Sequence, residues 1–336
     1  MRLNKKEILA GILNNSALLT MLFKLLVKNN VRILAYHRVI DIESESEYGA
    51  DLELISASTD EFDWQMQYVK KKYNVIAFSQ LLDALEKKSK IPHNSVVITF
   101  DDGFDDNYTN AFPILKKYEL PALFFIATGY MGLNKTFWFD WVVYLIKQLD
   151  MNEISLDNGL LRLQLNNNRQ EVAEEILKYM KLVADDKRRA LVNEIEMLAG
   201  HDADDGCPYS RPLTWGQVKE MSDAGMEFGS HSVSHPILTR LNENALITEM
   251  SDSKKMIENR LGLACYAVAY PVGGALEYNE KVIDVAKRSG YKMAVTYQHG
   301  ACHLNNFDRY NIKRLHVERY TSRNYFSSML MAPGLL

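Results

Sequence analysis

From Val31 onward the sequence alternates short apolar runs with helix-period stretches, and this rhythm restricts the fold more than any other feature. The run "VRILAYHRV" reads as a strand ending near His37, and "NVIAF", "SVVITF" and "PALFFIA" read as three more. Between them, "DEFDWQMQYVKKKY" puts Phe62, Met66 and Val69 on one helical stripe with Asp60 as its cap. "SQLLDALEKKSK" is a second helix with Ser79 as cap, and "TNAFPILKKYEL" a third with Pro113 in its first turn. Strands alternating with helices of this length form a parallel sheet, open or closed into a barrel. In both architectures ligands bind at the carboxyl ends of the strands.

The rhythm breaks after "PALFFIA". Phe137 to Leu149 is rich in Trp and Phe, "ISLDNGLLRLQL" carries an Asn158-Gly159 turn, and two helices follow over Arg169–Ala184 and Asp186–Gly200. It resumes at "LTWGQVKEMSDAG" and continues to a final helix. The expected organisation is an N-terminal amphipathic helix (1–30), the first part of an α/β domain (31–133), a mainly helical insertion (134–212), and the second part of the domain with a C-terminal helix (213–336).

Charge and cysteine usage narrow the partners. A net charge of −4, with acids and bases interspersed, argues against a general nucleic-acid binder. Cys207, Cys265 and Cys302 are odd in number and widely spaced, which predicts unpaired thiols in a reducing compartment. Glu7, Asn14 and Asn15 interrupt the apolar N-terminus, and no small-residue cleavage site follows Leu26. Residues 1–30 therefore read as a helix packed on the domain, with contact at a membrane surface as the alternative. The expected location is the cytoplasm, or the inner face of the membrane.

The strand ends carry the chemistry. After "RILAY" comes His37; after "VVITF" come Asp101 and Asp102; after "MEFGS" come His231 and His235; after "AVAY" comes Pro271-Val272-Gly273-Gly274. His231 and His235 are four apart, so one helical turn would bring both imidazoles to one side. With one carboxylate they make a two-His, one-Asp metal site with positions open for water and substrate. Residues 232 and 233 are Ser and Val, so this is not the His-Glu-x-x-His of metalloproteases. The second Asp of the pair is then the available base, for a water whose pKa a metal lowers to about 7. Asp105 and Asp106 read as capping or solvated acids.

Thr99-Phe100-Asp101-Asp102-Gly103, followed by His231-Ser232-Val233-Ser234-His235, resembles the first two motifs of the polysaccharide deacetylases, carbohydrate esterase family four, whose shared region is the NodB-homology domain. "ILAYHRV", "STDEFDWQMQYVKKKYNVIAFSQLL" and "LTWGQVKEMSDAGMEFGSHSVSH" resemble the same family, so the likeness spans about 31–133 and 213–320. The resemblance implies a distorted (β/α)7 barrel and metal-dependent removal of acyl groups from sugars. It implies Asp101 as base and Asp102, His231 and His235 as metal ligands, with zinc first and cobalt, manganese or nickel as alternatives. "Ala269-Tyr270-Pro271-Val272-Gly273" is similar to the third motif without its arginine, and the Val272 N–H would serve as oxyanion donor. "Lys313-Arg314-Leu315-His316" approximates the fifth, making His316 the expected general acid, with Asp101, His37, His299 or His303 as substitutes. Arg314 could stand in for the missing arginine. "YKMAVTYQHG" occupies the place of the fourth motif without its Asp or Trp.

Trp138 and Asp140 of "FWFDW" suit sugar faces and hydroxyls, against the alternative that these rings form the insertion's own core. His37, Tyr270, Pro271 and Arg314 complete the expected substrate contacts. The expected function is removal of an N-acetyl group from an amino sugar in a cell-envelope, lipid- or nucleotide-linked, or exopolysaccharide saccharide. The alternatives are a catalytically silent carbohydrate-binding protein, or a deformylase or O-deacetylase on the same scaffold.

Overall fold

The computed structural model describes residues 30–133, 135–165, 168–201 and 206–333. The helix expected over residues 1–30 therefore lies outside the described residues, apart from Asn30. The first half of the chain gives β1 (Asn30–Tyr36), β2 (Arg38–Val39), β3 (Ile55–Ala57), α1 (Thr59–Lys72), β4 (Asn74–Val75), α2 (Phe78–Lys87), β5 (Ser95–Phe100), α3 (Phe112–Lys117) and β6 (Leu123–Ile126). Next come α4 (Trp138–Gln148), the hairpin β7 (Glu153–Leu156) and β8 (Leu161–Gln164), α5 (Arg169–Leu182) and α6 (Asp185–Ala199). The last part is α7 (Trp215–Asp223), β9 (Glu227–Ser230), α8 (Glu243–Leu261), β10 (Ala267–Ala269), α9 (Glu280–Arg288), β11 (Met293–His299), β12 (Cys302–His303), β13 (Ile312–His316) and α10 (Arg323–Met331).

Seven parallel strands close on themselves in the order β1-β5-β6-β9-β10-β11-β13. β1 joins the two ends: Leu34 lies level with Ile98 of β5 on one side and Leu315 of β13 on the other. Every residue of β5 is buried, as expected of a strand with core on both faces. Strand alternation divides that core. Ile33, Val97, Phe125, Met293, Val295 and Ile312 fill the barrel, while Leu34, Ile98, Phe100, Phe124 and Leu315 face outward to helix residues such as Phe62 and Met66 of α1. α2 joins the interior cluster through Phe78 and Leu81 and closes the barrel at the amino end of its strands.

Local chemistry differs from the sequence expectation in three places. Ser58, not Asp60, caps α1 by accepting the Glu61 N–H. Ser79 lies inside α2, whose start is instead capped from a distance: the Glu227 carboxylate accepts the Phe78 and Ser79 N–H groups at 2.9 and 3.2 Å. Of "NVIAF", only Asn74–Val75 pairs as a strand. All three cysteines are buried free thiols.

Between β6 and α7 the chain leaves the barrel rim to form α4, the β7–β8 hairpin, α5 and α6. Nearly all of α4 is buried, including Phe139, Trp141, Val142, Leu145 and Ile146, so it is a core helix rather than an amphipathic one. These residues share one continuous apolar cluster with Phe100 and Phe124 of the barrel.

Candidate active site

The two acids after β5 separate because the backbone changes hand between them. Val97, Thr99 and Asp101 follow the inward face of the strand, and Ile312 and Arg314 follow the inward face of β13. Arg314, fully buried, donates from Nη1 to Asp101 Oδ1 at 2.7 Å and from Nη2 to Oδ2 at 2.5 Å. Its remaining donors reach Thr99 Oγ1 at 3.2 Å and the Thr296 carbonyl at 2.9 Å. Burial alone would raise the Asp101 carboxyl, but the Arg314 charge and its paired hydrogen bonds outweigh it and hold the group below the ordinary carboxylate range. Arg314 thus serves Asp101 rather than facing the cleft as a substrate contact.

At Asp102 φ is 71°, a left-handed conformation that turns its carboxylate across the rim. Gly103 follows at φ 89°, and a Cβ there would stand 2.8 Å from Ile126 Cγ2, so both conformation and space require glycine. Asp102 Oδ1 lies 3.4 Å from His231 Nε2 and 3.3 Å from His235 Nε2, with all three residues buried. No helix carries the two imidazoles, contrary to the sequence expectation. They stand on a loop after β9, with Ser232 at φ 66° and His235 at φ 54°.

That loop is pinned by oxygens. Ser230 Oγ accepts from Ser232 N, Ser232 Oγ from His235 N, and Glu249 on α8 accepts from Val233 N, Ser234 N and Ser234 Oγ at 2.7–2.9 Å. His231 Nδ1 meets the Ala269 carbonyl at 2.8 Å, which makes Nδ1 the protonated nitrogen and leaves the Nε2 lone pair toward Asp102.

The donor set fits a divalent metal. Two imidazole nitrogens and a carboxylate oxygen with open positions suit zinc and its neighbours. Metal–ligand bonds of about 2.1 Å in a tetrahedron put ligand atoms about 3.4 Å apart, which matches the spacing just given. Asp102 Oδ1 is also buried with no hydrogen-bond partner among the described residues.

A cleft of about 300 Å³ opens over these groups. Val272 lines it with φ 62°, an outlier for a β-branched residue, and its N–H donates to no acceptor among the described residues. Gly273 behind it, at φ 59°, lies against β11: an added Cβ would be 2.6 Å from Tyr297 N. His37 lines the cleft with Nε2 4.0 Å from Asp101 Oδ2. Its backbone is held by Ser56 Oγ and Asn107 Nδ2.

His316 is placed differently from expectation. A register shift between Val295 and His299 pushes Tyr297 into the cleft. The His316 ring stacks on Tyr297 at 3.7 Å, nearly parallel, and is not part of the cleft wall. Burial, with Arg314 and two neighbouring histidines, drives its pKa down to about 3, so the ring is neutral at neutral pH. His299 is exposed beside it, and His303 lies on β12, level with the entry end of β1.

Of the remaining predicted contacts, Trp138 and Tyr270 line the cleft and Pro271 is buried behind it. Trp138 donates from Nε1 to the His235 carbonyl at 2.9 Å, and the neighbouring Phe139 meets the His235 ring edge-on. Asp140 is not a sugar contact. It is fully buried, accepts the Asp51 N–H at 2.9 Å and lies 3.9 Å from Arg38, and burial pushes its pKa up to about 7. Asp106 is likewise no solvated cap: it is buried, 2.8 Å from Arg38 Nε. Sequence reasoning missed Tyr297, Glu249 and the outer wall of Asp51, Glu53 and Glu318. Tyr297 continues the alternation of Met293 and Val295, but the register shift that sets it in the cleft leaves no signal in the sequence.

Comparison with known proteins agrees with this geometry. The sequence pattern of the family described as polysaccharide deacetylase matches residues 88–294. YxkH of Bacillus subtilis (strain 168) is 24% identical over 271 residues, 80% of this chain and 68% of that protein. A poly-beta-1,6-N-acetyl-D-glucosamine N-deacetylase of Staphylococcus aureus (strain MSSA476) is 35% identical over 113 residues, but the match spans only 31% of this chain and 38% of that one. Among solved structures, the deacetylase PplD of Streptococcus pyogenes, in complex with acetate, superposes with a TM-score of 0.60 at 25% identity, covering 89% of this chain and 98% of that chain. A closed seven-stranded parallel barrel, an Asp-Asp and His-His rim in register, and a family pattern covering more than half the chain make it a member of the polysaccharide deacetylase family.

Proposed function

We propose that the protein hydrolyses the N-acetyl group of an amino sugar within an exopolysaccharide or cell-envelope saccharide, with a divalent metal, zinc first, held by Asp102, His231 and His235. The observation that carries this reading is Asp101, kept ionised by Arg314 and set beside the two-His, one-Asp cluster in one cleft. The N-deacetylase named among the relatives and the acetate in the PplD structure support the acetamide as the bond cleaved. When bound, the metal supplies Lewis acidity to the water and to the acyl oxygen.

The chain's own residues do the rest. Asp101 removes one proton from the attacking water as a carbon–oxygen bond forms at the acyl carbon. The unpaired Val272 N–H donates to the oxyanion that develops there. His37 gives a proton to the departing nitrogen as the carbon–nitrogen bond breaks, leaving acetate and a free amine. We assign that role to His37 rather than His316, because His37 faces the cleft and Asp101 whereas His316 lies behind Tyr297. The test is acetate release from N-acetylated glucosamine oligomers beside O-acetylated and N-formylated analogues, with His37→Gln as comparison. Release from the N-acetyl substrates, reduced about 10²-fold or more in the variant, is the expected result. Preference for the O-acetyl or formyl analogues would move the function to those esters or amides. Saccharide binding with no turnover of any substrate would make this a binding protein.

A further inference from the structure

Outside the metal cluster, His37 and the Asp101–Arg314 pair, the described cleft wall carries Asp51, Glu53 and Glu318 against Lys181, with Lys147 also near Asp51. Asp51 is only 8% exposed. Its Oδ1 accepts the Glu53 N–H at 3.0 Å, and its Oδ2 has no hydrogen-bond partner among the described residues. Neither Glu53 nor Glu318 has an ion pair among the described residues, and Arg319, next to Glu318 in the chain, pairs at 2.8 Å with Glu45 instead. Burial, with the carboxylates of Asp51, Glu174 and Glu318, pushes Glu53 above its ordinary range, Arg319 pulling partly the other way. The outer cleft therefore holds more negative charge than it neutralises. Facing these acids are Trp138, Phe139 and Leu177, which form the apolar side of the same cleft.

We propose that this wall recognises a free, protonated amine on a sugar neighbouring the N-acetylated one, so that the preferred substrate is an amino-sugar chain already part-way deacetylated. The inference rests on the N-deacetylase reading above. The same wall repels phosphate, so sugars linked to a nucleotide or lipid through phosphate are disfavoured. The substrate is supplied by any reaction that exposes one amine on the chain, including this enzyme's own first turnover, and progress on a fully acetylated chain should accelerate from an initial lag.

The experiment compares kcat/KM for two short N-acetylglucosamine oligomers of equal length, one fully acetylated and one with a single free amine, near about pH 6, where the amine is protonated. N-acetylglucosamine 1-phosphate beside the methyl glycoside forms a second pair. The amine-bearing oligomer is expected to be better by roughly three- to tenfold at low salt, the ratio approaching one at about 1 M salt. Glu53→Gln and Glu318→Gln should lower that ratio and Lys181→Gln should raise it, an opposition that general damage to the fold does not produce. A wild-type ratio of one or below, a shift of all three variants in one direction, or faster turnover of the phosphate than of the glycoside would overturn the proposal while leaving N-deacetylation intact. No acetate from any of these compounds would instead remove the N-deacetylase reading and the proposal with it.

Discussion

Asp101 and Asp102 are adjacent in sequence but take different partners, because one keeps the strand conformation and the other is left-handed. Replacing Arg314 by Met would strip Asp101 of both charge-assisted bonds and leave a buried carboxylate unpaired, destabilising the protein by roughly 3–5 kcal/mol. Because Arg314 lowers the Asp101 pKa, its contribution to stability is present above the ordinary carboxylate value and is lost as pH falls through the lower folded value. In the variant the largest influence opposing burial is gone, so the acid limb of the pH–rate profile should move to higher pH; an unmoved limb would mean that Asp101 is not the titrating base. Asp140 behaves in the opposite sense. Its rise from 3.8 to about 7 means that the folded protein retains a proton the unfolded chain has lost across that window, so its share of stability falls as pH rises through it. Asp140→Asn keeps a carbonyl for the Asp51 N–H and should gain in thermal midpoint over wild type between pH 5 and pH 8, worth at most about 4 kcal/mol. A constant difference across that range would contradict this assignment. The acids and histidines of the candidate site were legible because side-chain chemistry repeated at several strand ends. Asp140 and Asp106 were misread because sequence does not show a buried partner sixty or more residues away, here Arg38.

At the scale of elements, strand positions were readable from two-residue alternation, while the loops that aim the ligands were not. The His231–His235 spacing matched a helical turn, yet the segment is a loop held by serine hydroxyls and by Glu249 from α8. In sequence Glu249 looks like any acid on an amphipathic helix, "ALITEMSDSKK", and nothing local signals that it reaches across to the loop. Glu249→Ala removes the acceptor for three donors and frees Ser232 and His235 to leave their left-handed conformations. Metal affinity should fall about 10- to 100-fold, measured by cobalt or zinc titration of the folded protein, with Glu249→Gln recovering part of the loss. Unchanged affinity in the alanine variant would show that the serine hydroxyls alone fix the loop. The position of His316 teaches the same point: the register shift in β11 is invisible in "YKMAVTYQHG", and it is what brings Tyr297 between His316 and the cleft.

The whole molecule explains how a segment leaving the rim at β6 can wall the site without forming a separate body. Phe139, Trp141 and Ile146 of α4 belong to the same apolar cluster as Phe100 and Phe124 of the barrel, and Arg38 with Asp140 bridges the two parts. Unfolding should accordingly be one cooperative transition, with tryptophan fluorescence, reporting Trp138 and Trp141 as well as Trp64 and Trp215, coincident with far-ultraviolet circular dichroism. Two separated transitions would make residues 134–212 an independent unit. The barrel itself was foreseeable from the βα rhythm and the family likeness, since each strand's burial on both faces leaves little freedom in how it packs. The charge on the cleft wall was not, because Asp51 and Glu53 precede β3 while Glu318 follows β13, and only closure of the barrel brings them together. The most direct measurement of the central claim is bound metal and acetate release on the same preparations of wild type, Asp101→Asn and Asp102→Ala, stripped and then refilled with zinc or cobalt. The account predicts about one metal per chain and turnover in wild type, metal without turnover in Asp101→Asn, and neither in Asp102→Ala. Full turnover in stripped wild type, or in Asp101→Asn, would contradict it.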